Sequence, residues 1–290
     1  MIHYLPTIQS NQVGFERLAE LAKATAKLRA DRLELDFSHV GLFDANMAAP
    51  LGAVLARVAD RFNAVEIVNV PELIERVLRK NGFLVQYRYQ SMEDATRMAI
   101  PFRRLQRTDE GLFEDYLQHH LKGKGIPRMT EGLGKVFKQK IFEVFQNAVI
   151  HSESEQGIFV CGQFFPQKQR LDLTIADAGI GIRESVRRYF HDRHISSVPA
   201  IRWALQEGHT TKKGKQPGGL GLKFLHDFAR LNKGIIHIVS RFGFYEFKNG
   251  QESFVKMAGD YPGTVVTLEV NTADTAAYRL ASEVTQADIF

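Results

Sequence analysis

Glu143, Asn147 and His151 stand four residues apart in EVFQNAVIHS, residues 143–152. On a helix that spacing stacks them on one face, each a turn beyond the last. A carboxylate, an amide and an imidazole thus stand in one row beside an apolar stripe. Asn is a poor residue for a helix interior, because its amide competes for backbone hydrogen bonds. A site that uses the amide would offset that cost. Phe137, Ile141, Val144, Phe145 and Ala148 make a separate apolar stripe that suits a core. The polar row therefore sits at the lip of something the core supports. A helix with three incidental polar residues is the plainer alternative.

Two further segments carry chemistry of the same kind. DAGIG, residues 177–181, follows the apolar run RLDLTIAD. A carboxylate at a strand end, here Asp177, reaches a pocket floor and accepts a hydrogen bond from an exocyclic amine. Gly179 and Gly181 let backbone approach a flat ligand, since no Cβ intervenes. Gly218, Gly219 and Gly221 open a helix in PGGLGLKFL. The free N–H groups and dipole at such a start suit a phosphate. Lys212, Lys213 and Lys215 precede it on a glycine-punctuated loop, placed to fold over phosphates as a lid. Adenine at Asp177, phosphates at the GGLGL helix and a metal at Asn147 make a coherent nucleotide pocket. A glycine after a strand is by itself only a turn signal; the order of the three segments is the specific feature.

The elements that position these residues follow from periodicity. Residues 11–29 have a helical rhythm, RLELDFSHV (32–40) alternates as a strand, and GLFDANMAAPLGAVLARVADRF turns at Gly41 and Asp44 into a helix. AVEIVNVP is a strand stopped by Pro71, and ELIERVLRKNGF is a helix that Asn81 and Gly82 end. Alternating strands and helices predict a small α/β domain over 1–90. A connector follows over 91–127, with a short strand in IPFRRLQ and a helix in EGLFEDYLQHHL. Thr130 caps a long helix to about Ser152. GIFVCGQFF and RLDLTIAD form a hairpin. Residues 183–216 read as irregular with helical pieces. A glycine-led helix closes at Gly234, and IIHIVSR and TVVTLEV are strands. Residues 271–290 read as a tail with a short helix.

The chain has 290 residues, 44% hydrophobic and 24% charged, the composition of a globular protein of about two domains. No apolar run reaches the roughly 18 residues of a membrane helix. MIHYLPTIQSNQ lacks the layout of a signal peptide. A single cysteine, Cys161, excludes an internal disulfide and a cysteine metal cluster, and a cytoplasmic location is the expectation. The net charge of +5 permits anionic partners without choosing among them.

The order of the motifs resembles the GHKL superfamily of gyrase, heat-shock chaperone, histidine kinase and MutL ATPases, over residues 128–270. EVFQNAVIHS matches the N-box, DAGIG the first glycine box, GHTTKKGKQPGGLGL the second, and PGTVVTL a third. The N-box resembles that of anti-sigma-factor serine kinases, and the lid that of sensor histidine kinases. The resemblance implies an α/β sandwich (the Bergerat fold) with a mixed sheet and helices on one face. It implies ATP and Mg²⁺ as cofactors, with Asn147 as a Mg²⁺ ligand and Asp177 reading the adenine amine with help from Thr264. Gly179 and Gly181 would shape the adenine pocket. Thr210, Thr211, Lys212, Gly218, Gly219, Leu220 and Gly221 would contact the nucleotide. Glu143 matches the position of a general base. Pro217 stands where many members have the first glycine of the second box, which bears on lid geometry. His119 and His120 lack the surroundings of a phosphoacceptor and read as surface residues.

Residues 1–90 resemble a STAS domain, the fold of anti-sigma-factor antagonists, through LELDFSHVGLFDANMAAPLGAVL and NAVEIVNVPELIERVLRKNGF. The antagonists carry a phosphorylated serine after the aspartate of the turn. Asp44, Ala45, Asn46 and Met47 offer no hydroxyl there, which leaves docking or dimerisation. The function implied is an ATP-binding regulatory protein that hydrolyses ATP slowly or transfers phosphate to Ser/Thr of a protein partner. A non-catalytic ATP-gated binding module is the alternative, and a nucleic-acid-associated ATPase a further one.

Overall fold

The structure, a computed structural model, describes residues 1–206, 208, 209 and 220–283. β1 (Ile2–Tyr4), β2 (Arg32–Asp36) and β3 (Ala64–Val68) form a parallel sheet in the order β1-β2-β3. α1 (Gln12–Ala24) begins at Asn11, whose side chain accepts from Gly14 N. α2 (Ala48–Ala59) follows a 3-10 turn at Ala45–Met47, and α3 (Glu72–Lys80) follows Pro71. The rigid φ of proline suits the start of a helix, and Glu72 and Glu75 in the first turn complement its dipole.

β4 (Ala99–Leu105) and α4 (Glu110–His120) realise the strand and helix expected in the connector. β5 (Arg128–Met129) leads into α5 (Glu131–His151), where Thr130 accepts from Leu133 N at 3.3 Å as its cap. β6 (Ile158–Phe165) and β7 (Arg170–Asp177) are the predicted hairpin. α6 (Gly181–Phe190) and α7 (Ser197–Ala204) come next, so the stretch read as irregular after residue 182 begins inside a helix. α8 (Leu220–Asn232) precedes β8 (Ile235–Lys248) and β9 (Gln251–Asn271). These two strands run far beyond IIHIVSR and TVVTLEV. Their turn is Asn249-Gly250, both residues at positive φ, the pair that closes a tight hairpin. The tail adds β10 (Ala277–Tyr278) beside β5, and Glu283 accepts from Thr130 Oγ1 at 2.6 Å, tying the tail to the start of α5.

The central sheet has the order β4-β6-β7-β9-β8. The expected mixed sheet is corrected: every pairing in it is antiparallel. The chain returns through α6–α8 and lays β8 in the direction of β7. β9 then folds back between them, so no parallel neighbours meet. Among the described residues parallel pairing occurs in β1-β2-β3, in β5-β10 and at the isolated Ile8–Phe43 bridge.

The helices of residues 128–270 pack on one face of this sheet, and α1 and α2 of residues 1–90 cover the other. Ile158 and Val160 of β6 join a core with α4, α5 and α8, in which Phe113 stacks on Phe145 at 4.3 Å and Phe137 meets Phe228 at 4.8 Å. The alternate residues Phe159 and Cys161 join a second core with α1 and α2. Period-two alternation sends successive side chains to opposite faces, and here both sets are apolar. The core of residues 1–90 is therefore continuous with the back of the central sheet. Two glycines permit the close approach. A Cβ on Gly52 would come within 2.8 Å of the Phe102 ring, and one on Gly259 within 2.7 Å of Ala19.

A polar seam runs through this second face. Asn46 Nδ2 donates to Thr174 Oγ1 at 2.9 Å, and Thr174 bonds Thr267 at 2.9 Å. The turn compared above with the antagonists' serine loop is thus buried against the sheet. Arg170 lies within 3.4 Å of Asp44 and Glu269 and within 3.1 Å of Asp172. Neither Asp172 oxygen receives an aligned hydrogen bond. Burial pushes its carboxyl up to about 8, against the pull of Arg170. No helix among the described residues is long and apolar enough to cross a membrane.

Two stability outcomes follow from this packing. Phe15 is fully buried and tilts on Phe244 at 6.2 Å, so Phe15→Ala costs about 3–5 kcal/mol. The loss appears in one transition that Trp203, far along the chain, reports by fluorescence; two separate transitions would refute a shared core. Asp172 holds a proton when folded, between pH about 4 and about 8, that the unfolded chain has released. Its contribution to stability therefore falls as pH rises through that window. Asp172→Asn should raise the melting temperature relative to wild type at pH 8 and lose that advantage at pH 5, as scanning calorimetry at both values reads.

Candidate functional site

α5, β7, α6, α7 and β9 enclose a cleft of about 130 Å³. Val144, Asn147, Ala148 and His151 line it from α5. The apolar stripe of α5 faces the core, and Asn147 and His151 fall at its edge, as the spacing predicts. Asp177, the last residue of β7, forms part of the floor. Among the described residues both hydrogen bonds it accepts fall on Oδ1, from Gly179 N at 2.8 Å and Thr264 N at 3.2 Å. The carboxylate is anchored by one oxygen. Burial pushes its pKa up to about 7, and the two N–H bonds hold it from rising further.

The turn after Asp177 depends on missing side chains. A Cβ on Gly179 would lie 1.8 Å from Ser152 O at the end of α5, and Ile180 N donates to that same carbonyl at 2.8 Å. The turn after Asp177 is thereby locked to the end of α5. Gly181 has φ +79° and lines the cleft; a Cβ there would press on Ser240 Oγ at 2.8 Å. Gly263, at φ +119°, brings β9 against the Asp177 carbonyl, where a Cβ would approach to 2.1 Å. This contact presents Thr264 N–H to the carboxylate.

The structure brings Asn147, Asp177, Gly181 and Thr264 to one cleft. Gly179 lines the reverse side of the turn. Glu143 is one turn before Asn147 but is absent from the cleft lining, and Lys140 Nζ holds its carboxylate at 2.6 Å. Leu220 and Gly221 begin α8. Thr210, Thr211, Lys212, Gly218 and Gly219 lie outside the described residues.

Three contributors escaped the sequence reading. Trp203 of α7 and His209 stack at 4.9 Å and form one wall of the cleft. Ser240 sits behind the turn, accepting from Ile182 N at 2.8 Å and donating to Gly263 O at 3.1 Å. The signal for the first pair was present: the sole tryptophan stands six residues before a histidine, just ahead of the lysine loop. An indole offers a flat face for a base. Ser240 carries no such signal, since its role arises from a bulge in β8.

Among the described residues no group of three or more His, Cys, Asp or Glu side chains could hold a metal. Asn147 would contribute an amide oxygen, with water and phosphate oxygens completing the shell, the usual manner of Mg²⁺ with nucleotides.

Trp203 makes the cleft observable. Adenine nucleotide titrated into the protein should change its fluorescence saturably, and Asp177→Ala should weaken that response by tenfold or more. An unchanged spectrum at saturating nucleotide would remove adenine from this cleft. No family model matches the chain and no curated protein matches it, so the geometry of the cleft carries the functional argument.

Proposed function

We propose that this chain is a Mg-ATP-binding regulatory protein of the GHKL type, with an N-terminal STAS-like unit. The observation that carries the reading is the convergence of Asn147, Asp177, Gly181 and Thr264, from three separate sequence motifs, on one cleft. Adenine enters beside Asp177, whose Oδ2 accepts from the exocyclic amine while Oδ1 stays anchored. Trp203 and the apolar walls at Ile175 and Val266 sandwich the base. Asn147 faces the phosphates and their Mg²⁺. The product is slow ATP hydrolysis or phosphate transfer to a Ser/Thr of a protein partner. Phosphoryl transfer asks the protein chiefly for positioning and charge neutralisation.

The second reading is an ATP-gated binding module without chemistry. The Lys140–Glu143 ion pair favours it, because a carboxylate held by an ammonium and set off the cleft is not poised as a base. In the catalytic reading the pair opens when nucleotide arrives. In both, residues 1–90 act as a partner docked on the back of the sheet, since α1 and α2 share its core.

Incubation with Mg²⁺ and γ-labelled ATP separates these readings. Release of label, lost in both Glu143→Ala and Asn147→Ala, is expected of the ATPase. ATP retained without release, and lost in Asn147→Ala alone, selects the binding module or a kinase awaiting its acceptor. Neither retention nor release would overturn the nucleotide reading.

A further inference from the structure

Behind the first glycine box, on the side away from the nucleotide cleft, four half-buried guanidinium groups gather: Arg57, Arg61, Arg183 and Arg241. Arg57, Arg61 and Arg241 line two adjoining clefts of about 450 and 390 Å³, and Arg183 lines the first. Among the described residues Asp260 is the one carboxylate in an ion pair with any of them, through Arg241 Nη2 at 2.5 Å. Four carboxylates, Asp60, Glu153, Glu155 and Glu184, also line the first cleft, and none of them pairs with these arginines. Glu153 and Glu184 pair with Arg188, Asp60 accepts from Gln156, and Glu155 is exposed.

Like charges this close repel, and each is also partly desolvated. Both effects make the deprotonated form of Arg57 easier to reach, burial first and then the charges of Arg61 and Arg241. Arg57 Nη1 donates to Ala178 O at 2.8 Å and Arg61 Nη1 to Thr25 O and Ala26 O, which leaves much of each fork unused. Arg183 lies over the Phe242 ring at 5.6 Å with its Nε buried and unpartnered. Arg241 holds φ +56° at a bulge in β8, a conformation unfavourable for a bulky residue. Bulges re-aim side chains, and such strain concentrates where a site is built.

We propose that Arg57, Arg61, Arg183 and Arg241 form a second anion site, for a small molecule bearing phosphate groups. Guanidinium forks arriving from α2, the turn after it, α6 and β8 offer more donors than the one paired carboxylate, Asp260, takes up, and a phosphate or diphosphate would accept the rest. The site touches the nucleotide cleft in two places. Arg57 holds the Ala178 carbonyl beside Asp177, and the Arg241 side chain packs on Gly181, where a Cβ would meet its Cδ at 2.9 Å. An occupant that draws these arginines together shifts the turn carrying Asp177, so anion and nucleotide affinities are coupled reciprocally. The coupling rests on the nucleotide reading; the anion site does not.

Calorimetric titration of pyrophosphate into the full chain, without Mg²⁺ or nucleotide, tests the site. One saturable equivalent is expected. It should weaken at least tenfold in Arg61→Gln/Arg183→Gln, persist when a non-hydrolysable ATP analogue fills the first cleft, and exceed the affinity for citrate. Absence of saturable binding, equal binding by the double variant, loss on addition of the analogue, or equal affinity for citrate would each overturn it. Should the double variant lose its cooperative melt, Arg61→Lys keeps the charge without the fork, and unchanged binding there overturns the site. ATP affinity altered by saturating pyrophosphate is expected. Unaltered affinity overturns the coupling alone. Failure of ATP to bind at all, with pyrophosphate still bound, overturns the nucleotide reading and leaves the anion site standing.

Discussion

A sheet with apolar side chains on both faces cannot leave either face to water, and the rest of this molecule follows from that constraint. Strands β6–β9 send Ile158, Val160, Leu173 and Ile175 toward α5 and α8, and Phe159, Cys161, Ala176 and Val265 toward α1 and α2. Burial of such surface contributes roughly 25 cal/mol per Å², so exposing the second face would be costly. Residues 1–90 are the cover for that face. The parallel sheet β1-β2-β3 forms the far side of α1 and α2.

That cover also reaches the candidate site. Arg57 of α2 grips the Ala178 carbonyl, and Tyr261, next to the Gly263–Thr264 step, donates from a buried hydroxyl to Pro50 O at 3.2 Å. The carboxylate at the floor of the cleft is thus held by β9 from one side, while the turn beyond it is braced by α2 from the other. A change in how α2 sits would be felt at Asp177 without a long chain of intermediates. The polar seam of Asn46, Thr174, Thr267 and Arg170 gives this interface a register that apolar contacts alone would not specify.

Local features were legible where a single physical rule decides them. Thr130 as a cap, the α5 stripe, the β6–β7 hairpin and the glycines around Asp177 depend on periodicity and on the freedom of residues without Cβ. The long β8–β9 hairpin has its signal in Asn249-Gly250 between aromatic-rich runs. α6 was obscured because the glycines that end β7 are followed at once by a basic stretch, RESVRRYFHDR. The helix is short and amphipathic, with Val186 buried and Ile182 packed on the core, and its many charged residues hide that narrow apolar face in a composition reading.

The sequence by itself determined the α/β class, the helix that carries Asn147, the strand that ends in Asp177, and the glycines that let backbone crowd around it. These are short-range matters of side-chain period, φ freedom and capping. Only the tertiary structure decided that β9 would lie between β7 and β8, that α1 and α2 would cover the second face, that Glu143 would pair with Lys140, and that Trp203 would wall the cleft. Each of those depends on residues distant in the chain competing for the same apolar surface or the same charge, and no local rule ranks such competitors.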